Sequence, residues 1–145
     1  MSQIGLVLLS LALSFVSAAT TDIERAFLQN DPKILRSLIA PGSFVNLSFA
    51  DPIRFSDLLS DQQTDLWFRK FFGTYKTVGF FPEGSILRSL DRGSFIFKAR
   101  WEIQSKGQPQ LAFNVLFFIR GKPSGPGLKG FWSILQIRAE IPERN

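Results

Sequence analysis

The stretch Ser94-Phe-Ile-Phe-Lys-Ala-Arg-Trp-Glu-Ile-Gln104 decides the fold of this chain, because its side chains alternate between two kinds. The apolar positions are Phe95, Phe97, Ala99, Trp101 and Ile103. The even positions from Lys98 onward are charged or polar. An alternation with a period of two predicts a β-strand that buries one face and exposes the other.

Two more long strands are predicted after this one. Residues 111–120 are apolar at nearly every position, which is typical of a strand in the centre of a sheet. Residues 121–130 contain four Gly and two Pro and are predicted to form a loop. Residues 131–141 alternate again before Pro142 ends the strand. One face of this last strand is expected to carry Phe131, Ser133, Leu135, Ile137 and Ala139, and the other Trp132, Ile134, Gln136, Arg138 and Glu140.

The chain upstream of these strands is predicted to supply helices that cover them. Thr21-Asp22 caps a short helix to about residue 29, and Asp31-Pro32 starts a second that ends by Ala40. Residues 43–49 and 53–55 are predicted strands. Ser60 and Gln63 form a capping box for a longer helix that ends between Gly73 and Tyr75. Residues 77–82 and 85–90 are predicted as two shorter extended segments.

The longer helix carries an apolar band that is wide enough to be covered on more than one side. Its members are Leu66, Trp67, Phe68, Phe71 and Phe72. The helix is therefore expected to lie across a concave sheet. The band is interpreted either as plain core or as the wall of a ligand site.

Composition limits the fold and the chemistry. A chain of 145 residues, of which 45% are hydrophobic, suffices for one domain with a real core. The absence of Cys and His excludes disulfides, thiolate chemistry and Ser-His-Asp or Cys-His catalysis. The formal charge is +5, but the basic residues are scattered and form no cluster denser than Arg69-Lys70. A nucleic-acid partner is therefore not expected.

The beginning of the chain has the pattern of a signal peptide. Residues 4–16 form an uncharged apolar run, and small residues follow around Ala18 and Ala19. The favoured interpretation is a cleaved signal peptide over residues 1–19, followed by a single domain over residues 20–145. An uncleaved anchor and a buried N-terminal helix are the alternatives. The prediction is an exported protein, periplasmic or secreted, with no stable membrane span after cleavage.

Two segments resemble a known superfamily. The run Asp65-Leu-Trp-Phe-Arg-Lys-Phe-Phe72 and the closing run Trp132-Ser-Ile-Leu-Gln-Ile-Arg-Ala-Glu140 look like the central helix and terminal strand of nuclear transport factor 2-like proteins. The closer likeness within that superfamily is to small exported bacterial proteins of unknown function. The resemblance covers Thr21 to Glu140 and rests on apolar patterns.

The resemblance implies an α+β fold shaped like a cone. A curved, mostly antiparallel sheet would wrap against two short N-terminal helices and one longer aromatic helix. Members of the superfamily include isomerases, dehydratases, epoxide hydrolases and non-catalytic binding or dimerisation modules. The His-Asp pair of the dehydratase-like members cannot exist here, and no position matches a catalytic motif. The catalytic residues are therefore left unknown.

Five residues are predicted to bind a ligand in the mouth of the cone: Trp67, Phe71, Trp101, Asn114 and Tyr75. Asn114 is included because it is the one uncharged polar side chain in a largely apolar strand. Arg100, Glu102, Arg138 and Glu140 are expected on the opposite faces of their strands, as a cross-strand ladder of charges. No cofactor and no metal are predicted.

Three hypotheses for function follow. The first is a non-enzymatic domain that binds a small apolar ligand or pairs with a protein partner. Pairing would use the sheet face, as a homodimer through Trp132, Ile134 and Phe118. The second is a carboxylate-dependent isomerase or hydrolase, which needs an acid inside the cone. The third is a basic module that binds anionic envelope components.

Overall fold

The computed structural model describes residues 19–83, 87–88, 93–122 and 131–143. The predicted signal peptide lies outside the described residues apart from residue 19. So do most of the predicted segment 85–90 and all but the first two residues of the predicted loop 121–130. No helix in the described part of the chain is both long enough and apolar enough to cross a membrane.

Three helices and seven strands make up the described chain. The helices are α1 (residues 19–28), α2 (Pro32–Ser37) and α3 (Asp61–Thr74). The strands are β1 (Phe44–Phe49), β2 (Phe55–Ser60), β3 (Tyr75–Pro82), β4 (Leu87–Arg88), β5 (Ser94–Ser105), β6 (Leu111–Lys122) and β7 (Phe131–Glu140). The predicted succession of three long strands at the end of the chain is confirmed.

The strands form one sheet in the order β2-β1-β7-β6-β5-β3. The short strand β4 also pairs with β5. Every pairing is antiparallel except that of β1 with β7. The α+β class with a mostly antiparallel sheet is therefore confirmed. Strand β6 lies in the middle of the three long strands, as predicted; one of its faces is buried and the other is half-buried.

One face of the sheet, called the inner face below, packs against the helices. It carries the alternating buried residues of β5 from Phe95 to Ile103, together with Phe113, Val115 and Phe117 of β6. Phe27 of α1 and Phe68 of α3 are fully buried against it. The opposite side of the sheet is called the outer face.

The local signals place most helix ends correctly. Ser60 accepts a hydrogen bond from the Gln63 backbone N–H, and the Gln63 side chain accepts one from the Ser60 backbone N–H, so the predicted capping box is present. The Asp31 side chain caps α2 by accepting from the Lys33 backbone N–H. Helix α1 is already formed at residue 19, the first described position, and so precedes the predicted cap at Thr21-Asp22.

One boundary was confirmed and one was wrong. Helix α2 ends at Ser37 and so stops by Ala40, as predicted, and the chain then approaches β7. There the Ile134 backbone N–H donates to the Leu38 carbonyl. The second strand begins only at Phe55 and runs to Ser60, so it replaces the predicted strand 53–55. Since Ser60 is also the N-cap of α3, no loop separates that strand from the helix.

The predicted faces of β7 were also wrong in its first half. The register with β6 shifts between Phe118 and Ile119, which pair with Gln136 and Ile134, so Leu135 is an extra residue in a β-bulge. A bulge reverses the alternation of the residues before it. Ile134 is therefore buried on the inner face, and the Trp132 ring contacts Phe95 there at 5.1 Å. Of the predicted dimer patch, only Phe118 remains on the outer face.

Candidate functional site

Helix α3 presents a ladder of three aromatic rings. Trp67, Phe71 and Tyr75 follow one another at intervals of four residues, which places them on one face of the helix. The rings of Trp67 and Phe71 are 5.1 Å apart and inclined by 13°. Those of Phe71 and Tyr75 are 5.0 Å apart and inclined by 25°. Such offset, nearly parallel rings form a flat apolar surface about three rings long.

Two further rings extend this surface onto the first two strands. Phe49, at the end of β1, lies 4.8 Å from Trp67 and 5.3 Å from Phe71. Phe55, at the start of β2, lies 5.2 Å from Trp67. We call these five residues, Phe49, Phe55, Trp67, Phe71 and Tyr75, the rim cluster. Phe55, Trp67 and Tyr75 are half-buried, so the rim cluster combines a buried floor with rings that solvent still reaches.

The interior beneath the rim cluster is filled by side chains. Trp101 is fully buried 5.4 Å from Phe71, and its indole Nε1 donates to the Thr77 hydroxyl at 3.0 Å. Phe27 of α1 packs edge-on against Trp101 at 4.8 Å. The rings of Phe68, Phe72, Phe80 and Phe117 also surround Phe27 within 5.8 Å. The described residues thus form a packed aromatic core here, and the half-buried rings of the rim cluster lie above it.

The structure brings four of the five predicted ligand-binding residues together. Trp67, Phe71 and Tyr75 belong to the rim cluster, and Trp101 lies directly under it. Asn114 lies elsewhere. It alternates with the buried inner-face residues Phe113 and Val115 and therefore points to the outer face of the sheet.

The outer face is ordered in rows that cross the strands. One row contains, in order across the strands, Leu58, Asn46, Gln136, Phe118 and Ile96. Two of its members, Asn46 and Gln136, carry amides, and the residues at both ends are apolar. A parallel row contains Glu140, Asn114, Arg100 and Phe81. Asn114 thus sits between an acid and a base, within the predicted ladder of charges, and this polar environment accounts for its presence in an apolar strand.

The one buried carboxylate among the described residues belongs to Asp65 on α3. Its Oδ2 accepts from Arg36 Nη1 of α2 at 3.3 Å and from Arg69 Nη2, one turn later on α3, at 3.2 Å. Asp65 and Trp67 are two residues apart, so they lie on nearly opposite sides of the helix. Asp65 therefore faces α2, away from the rim cluster. In the described part of the chain no three acidic side chains converge as metal ligands.

The turn between β1 and β2 carries an exposed ion pair beside the rim cluster. Arg54 Nε donates to Asp51 Oδ1 at 2.6 Å. This hydrogen bond, together with the charge of Arg54, lowers the pKa of Asp51 from its ordinary value, and the same contact raises the pKa of Arg54. The pair favours the folded turn above the ordinary pKa of Asp51, and this contribution is lost as the pH falls through the lowered pKa.

Sequence reasoning missed two residues of the rim cluster and the buried acid. The sequence pattern places Phe49 in a strand but gives it no role at a site. It places Phe55 at the end of the predicted strand 53–55, whereas Phe55 is the first residue of β2. Asp65 could have been found, because it lies three residues before Phe68 in the apolar band of α3 with Arg69 one turn after it. An acid at such a position needs a basic partner.

No protein-family model matches the sequence, and no curated protein matches it. Solved structures do match. A ketosteroid isomerase-like protein from Erwinia carotovora atroseptica has a TM-score of 0.68 at 14% identity, covering 91% of this chain and 97% of that one. The chain has the nuclear transport factor 2-like fold. An NTF2-like protein of unknown function in nutrient uptake, from Rhodospirillum rubrum, has a TM-score of 0.62 at 16% identity, over 88% of this chain and 98% of its own.

A domain of unknown function with a cystatin-like fold, from Nostoc punctiforme, has a TM-score of 0.64 at 8% identity. The match covers 90% of this chain and 77% of that one. The predicted nuclear transport factor 2-like, or cystatin-like, architecture is thereby confirmed. At these identities the likeness establishes the fold, and function has to be argued from the side chains of this chain.

Proposed function

We propose that this chain is a non-enzymatic binding domain with the nuclear transport factor 2-like fold, and that its rim cluster binds a small apolar ligand. The observation that carries the proposal is the ladder of Trp67, Phe71 and Tyr75, whose outer two rings are half-buried. A planar or branched apolar molecule would cover these rings and remove their exposed surface from water.

The chemistry around the rim cluster favours binding over catalysis. Asp65, the one buried acid of the described residues, is on the far side of α3 and is held by two arginines. The rim cluster itself carries the Tyr75 hydroxyl and the Trp67 indole N–H, and the Thr77 hydroxyl accepts from Trp101 beneath it. An isomerase or hydrolase that depends on a carboxylate needs an acid within reach of its substrate. The rim cluster itself contains no acid, and the carboxylate of Asp51, in the turn beside it, is exposed and bonded to Arg54.

The proposal is tested by titrating the protein with the neutral fluorescent probe N-phenyl-1-naphthylamine. Wild type is expected to bind it saturably, and Trp67→Ala to bind it roughly tenfold more weakly, because one face of the apolar site is lost. Phe81→Ala is the matched control, since Phe81 is an aromatic side chain of the outer face that is 53% exposed. Equal affinity of wild type and Trp67→Ala, with both folded by circular dichroism, would refute the proposal.

The outer face supports a second candidate, which is pairing with another copy of the chain. Leu58 and Phe44 are 59% and 57% exposed there, and Phe118, Leu116 and Ile96 add half-buried apolar surface. The neighbouring charges have both signs, as in the pair of Arg138 and Glu140 at 3.5 Å. In a two-fold dimer each contact occurs twice, so a face with charges of both signs allows Arg138 of each copy to lie against Glu140 of the other.

Sedimentation equilibrium tests the pairing. Wild type is expected to form a dimer, and Phe118→Asp a monomer, because a carboxylate would then be buried at the interface. Leu28→Asp is the control, since Leu28 is a 47% exposed apolar residue of α1, outside the sheet. A wild type that remains monomeric at the highest concentration reached contradicts this candidate and leaves the rim cluster proposal untouched.

A further inference from the structure

Two guanidinium groups converge on one oxygen atom at the seam between α2 and α3. Arg36 and Arg69 both donate to Asp65 Oδ2, at 3.3 and 3.2 Å. Because Arg36 Nη1 and Arg69 Nη2 donate to the same oxygen, the distance between these two nitrogens is at most the sum of the two hydrogen-bond lengths. The Asp65 side chain is 5% exposed, whereas those of Arg36 and Arg69 are 44% and 58% exposed. The buried acid thus fixes two arginines whose outer edges remain in water.

Most donors of the two arginines are unused. A guanidinium has five N–H groups in a rigid fork. Within the described residues, the side-chain bonds of Arg36 and Arg69 are those to Asp65. Asp65 Oδ1 is buried and has no hydrogen-bond partner among the described residues, so the carboxylate holds both arginines through Oδ2 alone. Attachment through one nitrogen each leaves the other N–H groups of both guanidiniums available to an oxyanion.

The local charge is positive. Two guanidiniums against one carboxylate leave one net positive charge at the seam. Lys33, one turn before Arg36 on α2, and Lys70, next to Arg69 on α3, are both exposed and add to it. The half-buried Asp61, one turn before Asp65, is the acidic residue nearest to the seam along α3. An anion approaching this surface meets more positive than negative charge.

We propose that Arg36 and Arg69 form a binding site for a tetrahedral oxyanion of the phosphate monoester class. The oxygens of such an anion can accept from the remaining N–H groups of two guanidiniums that share the acceptor Asp65 Oδ2, and charge-assisted bonds of this kind are among the strongest in proteins. The site lies across α3 from the rim cluster and is independent of the apolar ligand proposed there. The oxyanion that binds there belongs either to a soluble phosphate ester or to a lipid headgroup.

The experiment is a titration of the folded protein with inorganic phosphate at constant ionic strength, followed by nitrogen-proton NMR of the arginine side chains. The Arg36 and Arg69 signals are expected to shift saturably, and chloride is expected to leave them unchanged. In Arg36→Lys and Arg69→Lys the charge is kept but the fork is lost, so phosphate affinity should fall roughly tenfold. Arg25→Lys is the control, because Arg25 pairs only with the partly exposed Asp22 among the described residues.

Shifts that grow without saturation, or an affinity that is the same in wild type and both lysine variants, would overturn the proposal. Vesicles of phosphatidylcholine with and without phosphatidic acid separate the two sources. If the protein sediments with vesicles that contain phosphatidic acid, and inorganic phosphate releases it from them, the proposal is supported and the anion is a lipid headgroup. Saturable phosphate binding without vesicle binding supports it with a soluble ester.

Discussion

Asp65 is the residue on which the seam between α2 and α3 depends. A buried carboxylate that loses its donors is strongly unfavourable, whereas the loss of one of two donors is tolerated. Since both arginines bond the same oxygen, either one can still serve the carboxylate after the other is removed. The two contributions to stability are therefore expected to be non-additive.

The prediction is a double-mutant cycle measured by urea unfolding. Arg36→Ala and Arg69→Ala should each lower the free energy of unfolding by about 1 kcal/mol, and the double variant by about 3 kcal/mol. Arg25→Ala is the matched control and should change stability by less than about 0.5 kcal/mol, because its ion pair with Asp22 is exposed. Strict additivity of the two single losses would show that Asp65 does not couple the arginines.

A second prediction at this scale compares two glycines. A Cβ at Gly121 would overlap the indole of Trp132, whereas a Cβ at Gly73 would meet nothing within 4 Å. Gly121→Ala should lower the free energy of unfolding by roughly 1–3 kcal/mol, since the Trp132 ring would have to shift from its contact with Phe95. Gly73→Ala, in the last turn of α3, should raise it by up to about 1 kcal/mol. Changes of the same sign in both variants would contradict this description of the Trp132 contact.

Strand β2 is an edge of the sheet, and two of its backbone N–H groups are bonded by side chains. The Leu58 backbone N–H donates to Asp57 Oδ1 at 2.8 Å, and the Ser60 backbone N–H donates to Gln63 Oε1 at 2.9 Å. An exposed edge with free N–H groups and an apolar residue such as Leu58 invites pairing with other chains. These two caps make further strand pairing unfavourable.

Asp57→Ala is therefore expected to aggregate faster than wild type on mild heating, as measured by light scattering. Asp57→Asn is the control, because it loses the same charge but keeps an oxygen that can accept from the Leu58 N–H. If both variants aggregate equally fast, the negative charge protects the edge and the hydrogen bond does not.

At the scale of elements, sequence patterns predicted strands and helices well where the alternation was uninterrupted. β5 and β6 follow their patterns throughout, and the α3 capping box is where Ser60 and Gln63 place it. The faces of Trp132 and Ile134 could not be predicted, because a bulge at Leu135 depends on how β7 meets β6 and leaves no mark in the alternation itself. Asn114 was misplaced for the related reason that a sequence does not say which face of a nearly apolar strand is buried.

At the scale of the molecule, the fold is more predictable than the site. The order of elements and the two aromatic segments indicated the nuclear transport factor 2-like fold, which the solved structures confirm. Trp67, Phe71 and Tyr75 could be grouped from the sequence because their spacing along α3 is helical. The contributions of Phe49 and Phe55 depend on β1 and β2 packing beside α3, which is a long-range contact that local patterns do not encode.

The filled interior has a consequence for where ligands bind. Phe27 packs against five rings, so the interior beneath the rim cluster is filled, whereas Phe55, Trp67 and Tyr75 of the rim cluster remain partly in water. The proposed apolar ligand would therefore lie against α3 and the β1–β2 turn. Changes at Trp67 or Tyr75 should weaken its binding without loosening the core around Phe27.

Native mass spectrometry of the protein purified from its own source tests the central claim most directly, because it detects a bound small molecule whatever its chemical identity. Wild type is predicted to carry an apolar molecule that dissociates on activation, and Trp67→Ala, purified in the same way, is predicted to lack it. A wild type that shows only the mass of the empty chain, or a Trp67→Ala variant that carries the same molecule in the same amount, would contradict the claim that the rim cluster is a ligand site.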